Sequence, residues 1–200
     1  MRTPYILVLS IAGLILLSSC SPRDFLTRRL AADLIATSTG FRATQSFQMT
    51  TGVVSNDDYL SAEYLALQHH GWISATRAPC SAELQPPPCW DVTLTPSGVD
   101  TFRNLLAAAD AGKPVFRVPV ARRELLGVTG ISKLGRAADV EFTWRWIPLN
   151  EVGAAFYSAD LHYRSLASFR NYDDGWRVVQ GAPRPSQPLD DALRDAEPAP

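Results

Sequence analysis

Three histidines, an Asp-Asp-Gly run and a set of arginines in the second half hold most of the chemistry this chain could perform. His69 and His70 are adjacent, and adjacent residues on a helix point about 100° apart, which makes a poor chelating pair. A position at a helix end explains them through the helix dipole. His162, between Leu161 and Tyr163 on a strand-like run, has no Ser or acid partner nominated by the sequence. Asp173-Asp174-Gly175 reads as a tight turn, where Asp serves backbone geometry. No Gly-x-Ser-x-Gly, Walker loop, Gly-x-Gly-x-x-Gly or His-Glu-x-x-His is present, so no catalytic residue, metal ligand or cofactor site is nominated.

The arginines offer a different chemistry. From Lys113 to Gly181 ten basic residues face seven acidic ones, whereas Cys20 to Gly112 holds six arginines against nine acids. Strand alternation places Arg145, Arg164, Arg170 and Arg177 away from the apolar positions around them, toward one exposed face. Four guanidinium groups there would recognise carboxylates or phosphates of an anionic polymer or partner protein. The competing role is surface ion pairing with Asp139, Glu141 and Glu151. One further strand is notable: Val140, Phe142, Trp144 and Trp146 share a face. It reads as core beneath the helix opening at Pro96-Ser97, or as the wall of an apolar ligand pocket.

These side chains need elements to hold them. Ser21–Thr37 has apolar residues at helical spacing. Phe41–Met49 alternates as a half-buried strand. Asn56-Asp57-Asp58 caps a helix running from Leu60 to His70, with Leu60, Tyr64 and Leu67 on one stripe and Gly71 as its stop. Trp72–Arg77 and Trp90–Thr95 form a hairpin, and Ser97 with Asp100 reads as a capping pair for a helix burying Phe102, Leu105, Leu106 and Ala109. Val115–Val120, Leu125–Ile131, Val140–Ile147, Leu161–Tyr172 and Trp176–Gln180 are strand-like, with a short helix or bend over Asn150–Phe156. The prolines after Ala182 read as a disordered tail over 182–200.

Hydrophobic residues make up 46% of the chain, enough for a packed core, and a net charge of −1 argues against a nucleic-acid partner. The amino terminus is specific. Arg2 precedes an apolar run, Tyr5–Leu17, that is too short to span a bilayer as a helix but has the length of a signal-peptide core. It ends in Leu17-Ser18-Ser19-Cys20, which resembles the lipobox of bacterial lipoproteins. That resemblance implies removal of a signal peptide over residues 1–19, acylation of Cys20, and attachment to a cell membrane or outer membrane facing the periplasm or exterior. Ser21, in place of an Asp retention signal, favours the outer membrane. Export in turn leaves Cys80 and Cys89 as an even pair in an oxidising compartment, which implies a disulfide.

Two weaker resemblances bear on the fold. Tyr64-Leu65-Ala66-Leu67, Gly71-Trp72-Ile73 and Val92-Thr93-Leu94-Thr95-Pro96-Ser97-Gly98 resemble the wing region of winged-helix regulators, over roughly residues 60–110. The run from Ala167 to Val178, with its Gly175-Trp176 pair, resembles the last hairpin of a cystatin-like curved sheet. The expected class is α+β: a winged-helix-like α/β subdomain over 20–112, then an antiparallel curved sheet over 113–181. The expected role is a non-catalytic envelope protein that contacts another envelope protein or an anionic envelope polymer. The alternative is a small-molecule binder or hydrolase with its site in the curved sheet. Cys20→Ala tests the address: intact-mass measurement should find acyl mass on the wild-type protein extracted from membranes and an unprocessed, unacylated chain for the variant.

Overall fold

The computed structural model describes residues 25–82, 84, 87–105, 115–179 and 188–199. Along the chain, α1 (Arg28–Thr37), α2 (Thr39–Arg42), β1 (Gln45–Thr50), β2 (Gly52–Ser55), α3 (Asn56–Tyr59) and α4 (Ala62–His69) come first. A hairpin of β3 (Ile73–Ala78) and β4 (Cys89–Leu94) leads to α5 (Pro96–Arg103). Then come β5 (Val115–Leu134), β6 (Ala137–Pro148), α6 (Glu151–Phe156), β7 (His162–Tyr172), β8 (Gly175–Val178), α7 (Leu189–Arg194) and β9 (Glu197–Pro198). The strands form two antiparallel sheets. The large one is curled and ordered β1-β5-β6-β7-β8 with β9 on β7; the small one is ordered β2-β4-β3.

The expected α+β class holds, but the boundary at 112/113 does not divide the structure. β1 pairs with β5 along its length, and α1 packs on the same strand, so residues 25–50 belong with the large sheet. The cause is the burial of β1: Met49 and its neighbour Phe47 face a core that includes Phe116 and Val118 of β5. Strand β5 is also continuous over 20 residues where two separate strands were expected. Ala121-Arg122-Arg123-Glu124 stays in the ladder because a bulge at Val120, opposite the step from Gln45 to Ser46, lets both Val120 and Ala121 be buried.

Local chemistry accounts for the other differences. Phe41 lies on α2 rather than on a strand, because the Ser38 hydroxyl caps a helical turn by accepting from the Phe41 N–H at 3.3 Å. The expected 60–70 helix is α4, and the expected cap Asn56-Asp57-Asp58 is itself helical, in α3; Ser61 caps α4, which leaves Leu60 outside it at 52% exposure while Tyr64 and Leu67 stay buried. Thr95, not Ser97, caps α5, accepting from Gly98 N–H at 3.0 Å with Pro96 in the first turn. Leu106 and Ala109 of that expected helix lie outside the described residues. The tail expected to be disordered contains α7, which buries Leu189, Ala192 and Leu193, and β9, which extends the sheet edge; three apolar residues at helical spacing outweigh the surrounding prolines.

Helix α6 joins the large sheet to the second core by a close backbone approach. Asn150 caps it, accepting from Gly153 N–H at 2.9 Å while its own amide donates to Pro119 O at 2.6 Å. A Cβ on Gly153 would lie 1.8 Å from Val120 O, a main-chain atom of β5, so the helix could not keep its place. Gly153→Ala should therefore cost at least ~2 kcal/mol, a melting-temperature fall of roughly 4–8 °C for a chain of this size. Gly127→Ala, with nothing within 4 Å of its added Cβ, is the control and should shift melting little.

Candidate functional site

The curled sheet presents two faces, and each received a sequence expectation. On the inner face Val140, Phe142, Trp144 and Trp146 of β6 are buried. They are core, but the cover is not the helix at Pro96. Ile35 of α1, Phe41 of α2, and Leu189 and Leu193 of α7 fill this side, with Phe41 edge-on to both Phe142 and Trp144. Helix α5 serves the second core instead, where Phe102 meets Phe116. The concave face that would have formed an apolar pocket is thus occupied by the chain's own side chains.

One cation enters this apolar layer. The Arg123 guanidinium lies 4.6 Å from the Trp146 ring centre and 5.6 Å from that of Trp144. Its Nη1 donates to Gly40 O at 3.0 Å, and its buried Nε has no partner among the described residues. Burial lowers its proton affinity, while the Asp190 carboxylate and Tyr157 pull it the other way. Trp144 is held from the far side by Tyr163, stacked at 4.8 Å, and donates its indole N–H to Ser165 Oγ at 3.0 Å. No local pattern singles out Arg123, since its inward direction follows from the bulge.

The outer face carries the expected arginines. Register sets Arg145 opposite His162, Arg164 opposite Thr143, and Arg170 opposite Arg177, so the four share one side of β6, β7 and β8. They do not form a uniform cationic field. Arg145 makes a two-bond contact with Glu124 of β5, both nitrogens 2.7 Å from the carboxylate. Arg164 lies 3.2 Å from Glu197 of β9 and 3.9 Å from Glu141. Arg177 pairs with Asp174 and packs over the Tyr172 ring. Arg170 has no carboxylate partner among the described residues. Of the expected acids, Glu141 takes part; Asp139 instead accepts from Ser168 Oγ at 2.8 Å. Glu124 and Glu197 were missed, the first because the cross-strand register was unknown, the second because its segment was read as disordered.

Cys80 and Cys89 form the disulfide expected for them, closing the loop between β3 and β4. His69 and His70 stand edge to face at the end of α4, and His70 stacks on Trp72 at 4.6 Å, a structural use. Among the described residues no three His, Cys, Asp or Glu side chains gather in a metal-ligand cluster. One cleft among the described residues, about 650 Å³, lies between β1–β2 and α3–α4 and is lined by Phe47, Val53, Leu84, Asp57, Asp58 and Glu63 among others. A smaller one, about 340 Å³, lies beside Arg164 between β7 and the α7–β9 segment. No protein-family model, curated protein or solved structure matches this chain.

The wall of the larger cleft contains a titratable hinge. Tyr64 on α4 donates its hydroxyl to Thr50 O at 2.8 Å and accepts from Thr50 N–H at 2.7 Å, fastening the helix to the end of β1. Burial pushes its pKa above the ordinary 10.0, the Thr50 bonds acting against that and Asp58 with it. Folding favours the neutral phenol, so this stabilisation is complete below pH ~10 and is lost as pH rises through the higher folded value. Tyr157 is shifted the same way, chiefly by burial. Tyr64→Phe leaves Thr50 N–H without its acceptor and should cost about 1–3 kcal/mol at neutral pH. It should also flatten the alkaline fall in melting temperature; an identical alkaline limb in wild type and variant would remove Tyr64 from this role.

Proposed function

We propose that this protein is a lipid-anchored envelope protein, held in the membrane through acyl chains on Cys20, that acts non-catalytically by contact with another envelope protein. The observation that carries the contact reading is the outer face of β6 and β7, where Glu124–Arg145 and Glu141–Arg164–Glu197 alternate in sign. A uniform polyanion gains little from a face whose cations already have carboxylate partners. A folded partner with the complementary alternation gains register and selectivity from it. Exposed pairs of this kind contribute under ~1 kcal/mol each to folding, which leaves them free to serve recognition.

Two finer fold readings fit this picture. The order β2-α3-α4-β3-β4, with β4 central, supports a winged-helix-like unit whose wing tip is the Cys80–Cys89 loop. Its acidic balance sets it apart from nucleic-acid binders, which need positive charge against phosphate. The curled sheet wrapped on α1 supports the cystatin-like reading of the remainder.

A photo-crosslinking residue at Thr143, on the outer face, tests the proposal in intact envelopes. It should yield a discrete protein adduct that weakens at raised salt and disappears with Arg145→Ser plus Arg164→Ser, while folding stability changes by no more than about 2 kcal/mol. A crosslinker at exposed Ser74 on β3 should not give that adduct. An adduct indifferent to the double substitution would sink the contact reading.

A further inference from the structure

We infer that the end of the curled sheet formed by the β5–β6 and β7–β8 turns is the surface that rests on the headgroups of the membrane carrying the anchor. The inference builds on the acylation of Cys20 and adds the orientation of the domain. Phe25, the first described residue, has its ring 5.6 Å from Lys133 Nζ, next to the β5–β6 turn. The chain therefore enters the fold at this end. Four residues, Ser21 to Asp24, separate Phe25 from Cys20, and the five Cα–Cα steps between them reach at most ~18 Å. The opposite end of the sheet is farther from Phe25: from Ala121 to Leu134 strand β5 runs ~35–40 Å at about 3.3 Å per residue once its bulges are allowed for.

The side chains at this end are those an interface selects. Leu134 is 85% exposed, Phe25 56% and Tyr172 49%, which brings three large apolar or aromatic groups to one rim. Arg136 and Arg177 stand beside them, paired with the turn residues Asp173 and Asp174; Arg170 lies opposite Arg177, and Lys133 Nζ sits over the Phe25 and Trp176 rings. Leu134 projects from the outer side of the turn and Phe25 from the inner, so both can enter the headgroup layer together when the sheet stands on this edge. Aromatic and apolar tips flanked by basic residues are the composition of membrane–water interfaces, and partial burial of such tips adds to acyl anchoring. With this edge down, the alternating-charge face of β6 and β7 points sideways, open to a partner in the same membrane.

The test uses the full chain, processed by its own leader and reconstituted into vesicles of phosphatidylethanolamine and phosphatidylglycerol. With Cys20 acylated and Cys80–Cys89 bonded, Leu134→Cys and Leu149→Cys each introduce one free thiol for an environment-sensitive fluorophore. Leu149 is also exposed and lies just past the end of β6 remote from the tip, so it serves as the reference. Quenching by headgroup-borne nitroxide should be at least threefold stronger at 134 than at 149. Equal quenching at both sites would mean that the domain lies flat, and no quenching at either on a chain of acylated mass would mean that it stands clear; either result overturns the orientation. A chain of unacylated mass would overturn the anchor itself, and the orientation with it.

Discussion

A single strand has to satisfy two cores, and the structure depends on how it does so. The first part of β5 sends Phe116, Val118 and Val120 into the core shared with β1, β4, α5 and α6. From Ala121 onward its inward residues belong to the aromatic core beneath α1 and α7. Strict alternation cannot bury two consecutive residues on one face. The bulge at Val120 resolves this: one extra residue in the ladder with β1 lets Val120 enter one core and Ala121 the other. Each fully buried Val or Phe on this strand is worth ~1.5–3 kcal/mol, so neither core can give up its part of β5. Two further register shifts against β6, around Leu126 and Thr129, add the curl that lets the sheet wrap on α1.

Curvature then decides what the inner face can be. A flat sheet would leave Phe142, Trp144 and Trp146 facing a groove. The curled one brings them around α1 and α7, and Phe41 and Ile35 complete the packing. Arg123 is admitted because two indole faces and a main-chain carbonyl receive most of its charge. Its Nε, without a partner among the described residues, is the cost of that arrangement. Chemistry is thereby moved outward, to the convex face and the rim.

What the sequence made legible was mostly what repeats at short range. Alternation in β6 and β7, the stop of α4 at Gly71 and the Asp173–Asp174 turn are decided by neighbours within a few residues. The disulfide followed from cysteine parity once export was inferred. The covering of the aromatic strand was assigned to the wrong helix because α1 and α5 are both amphipathic, and only the bulge in β5 determines which core each helix meets. Alternation assigns each of the four arginines a side of its own strand, but alternation says nothing about the opposite strand. Glu124 meets Arg145 through the β5–β6 register, which depends on two bulges that no local pattern reveals.

The carboxy-terminal segment shows how a misread element changes a functional reading. Prolines among mixed polar residues read as a disordered tail, and a disordered tail leaves Arg164 facing solvent. In the fold Leu189, Ala192 and Leu193 anchor α7 on the aromatic core, with Leu189 N–H bonded to Val179 O at 3.1 Å. That anchoring delivers β9 to the open edge of β7, where Glu197 lies opposite Arg164. The same short helix therefore closes the inner face with its apolar residues and, through the strand that follows, sets the charge of the outer one. Burial on one side of the sheet fixes electrostatics on the other, and this coupling is why the convex face carries alternating signs rather than a row of free cations.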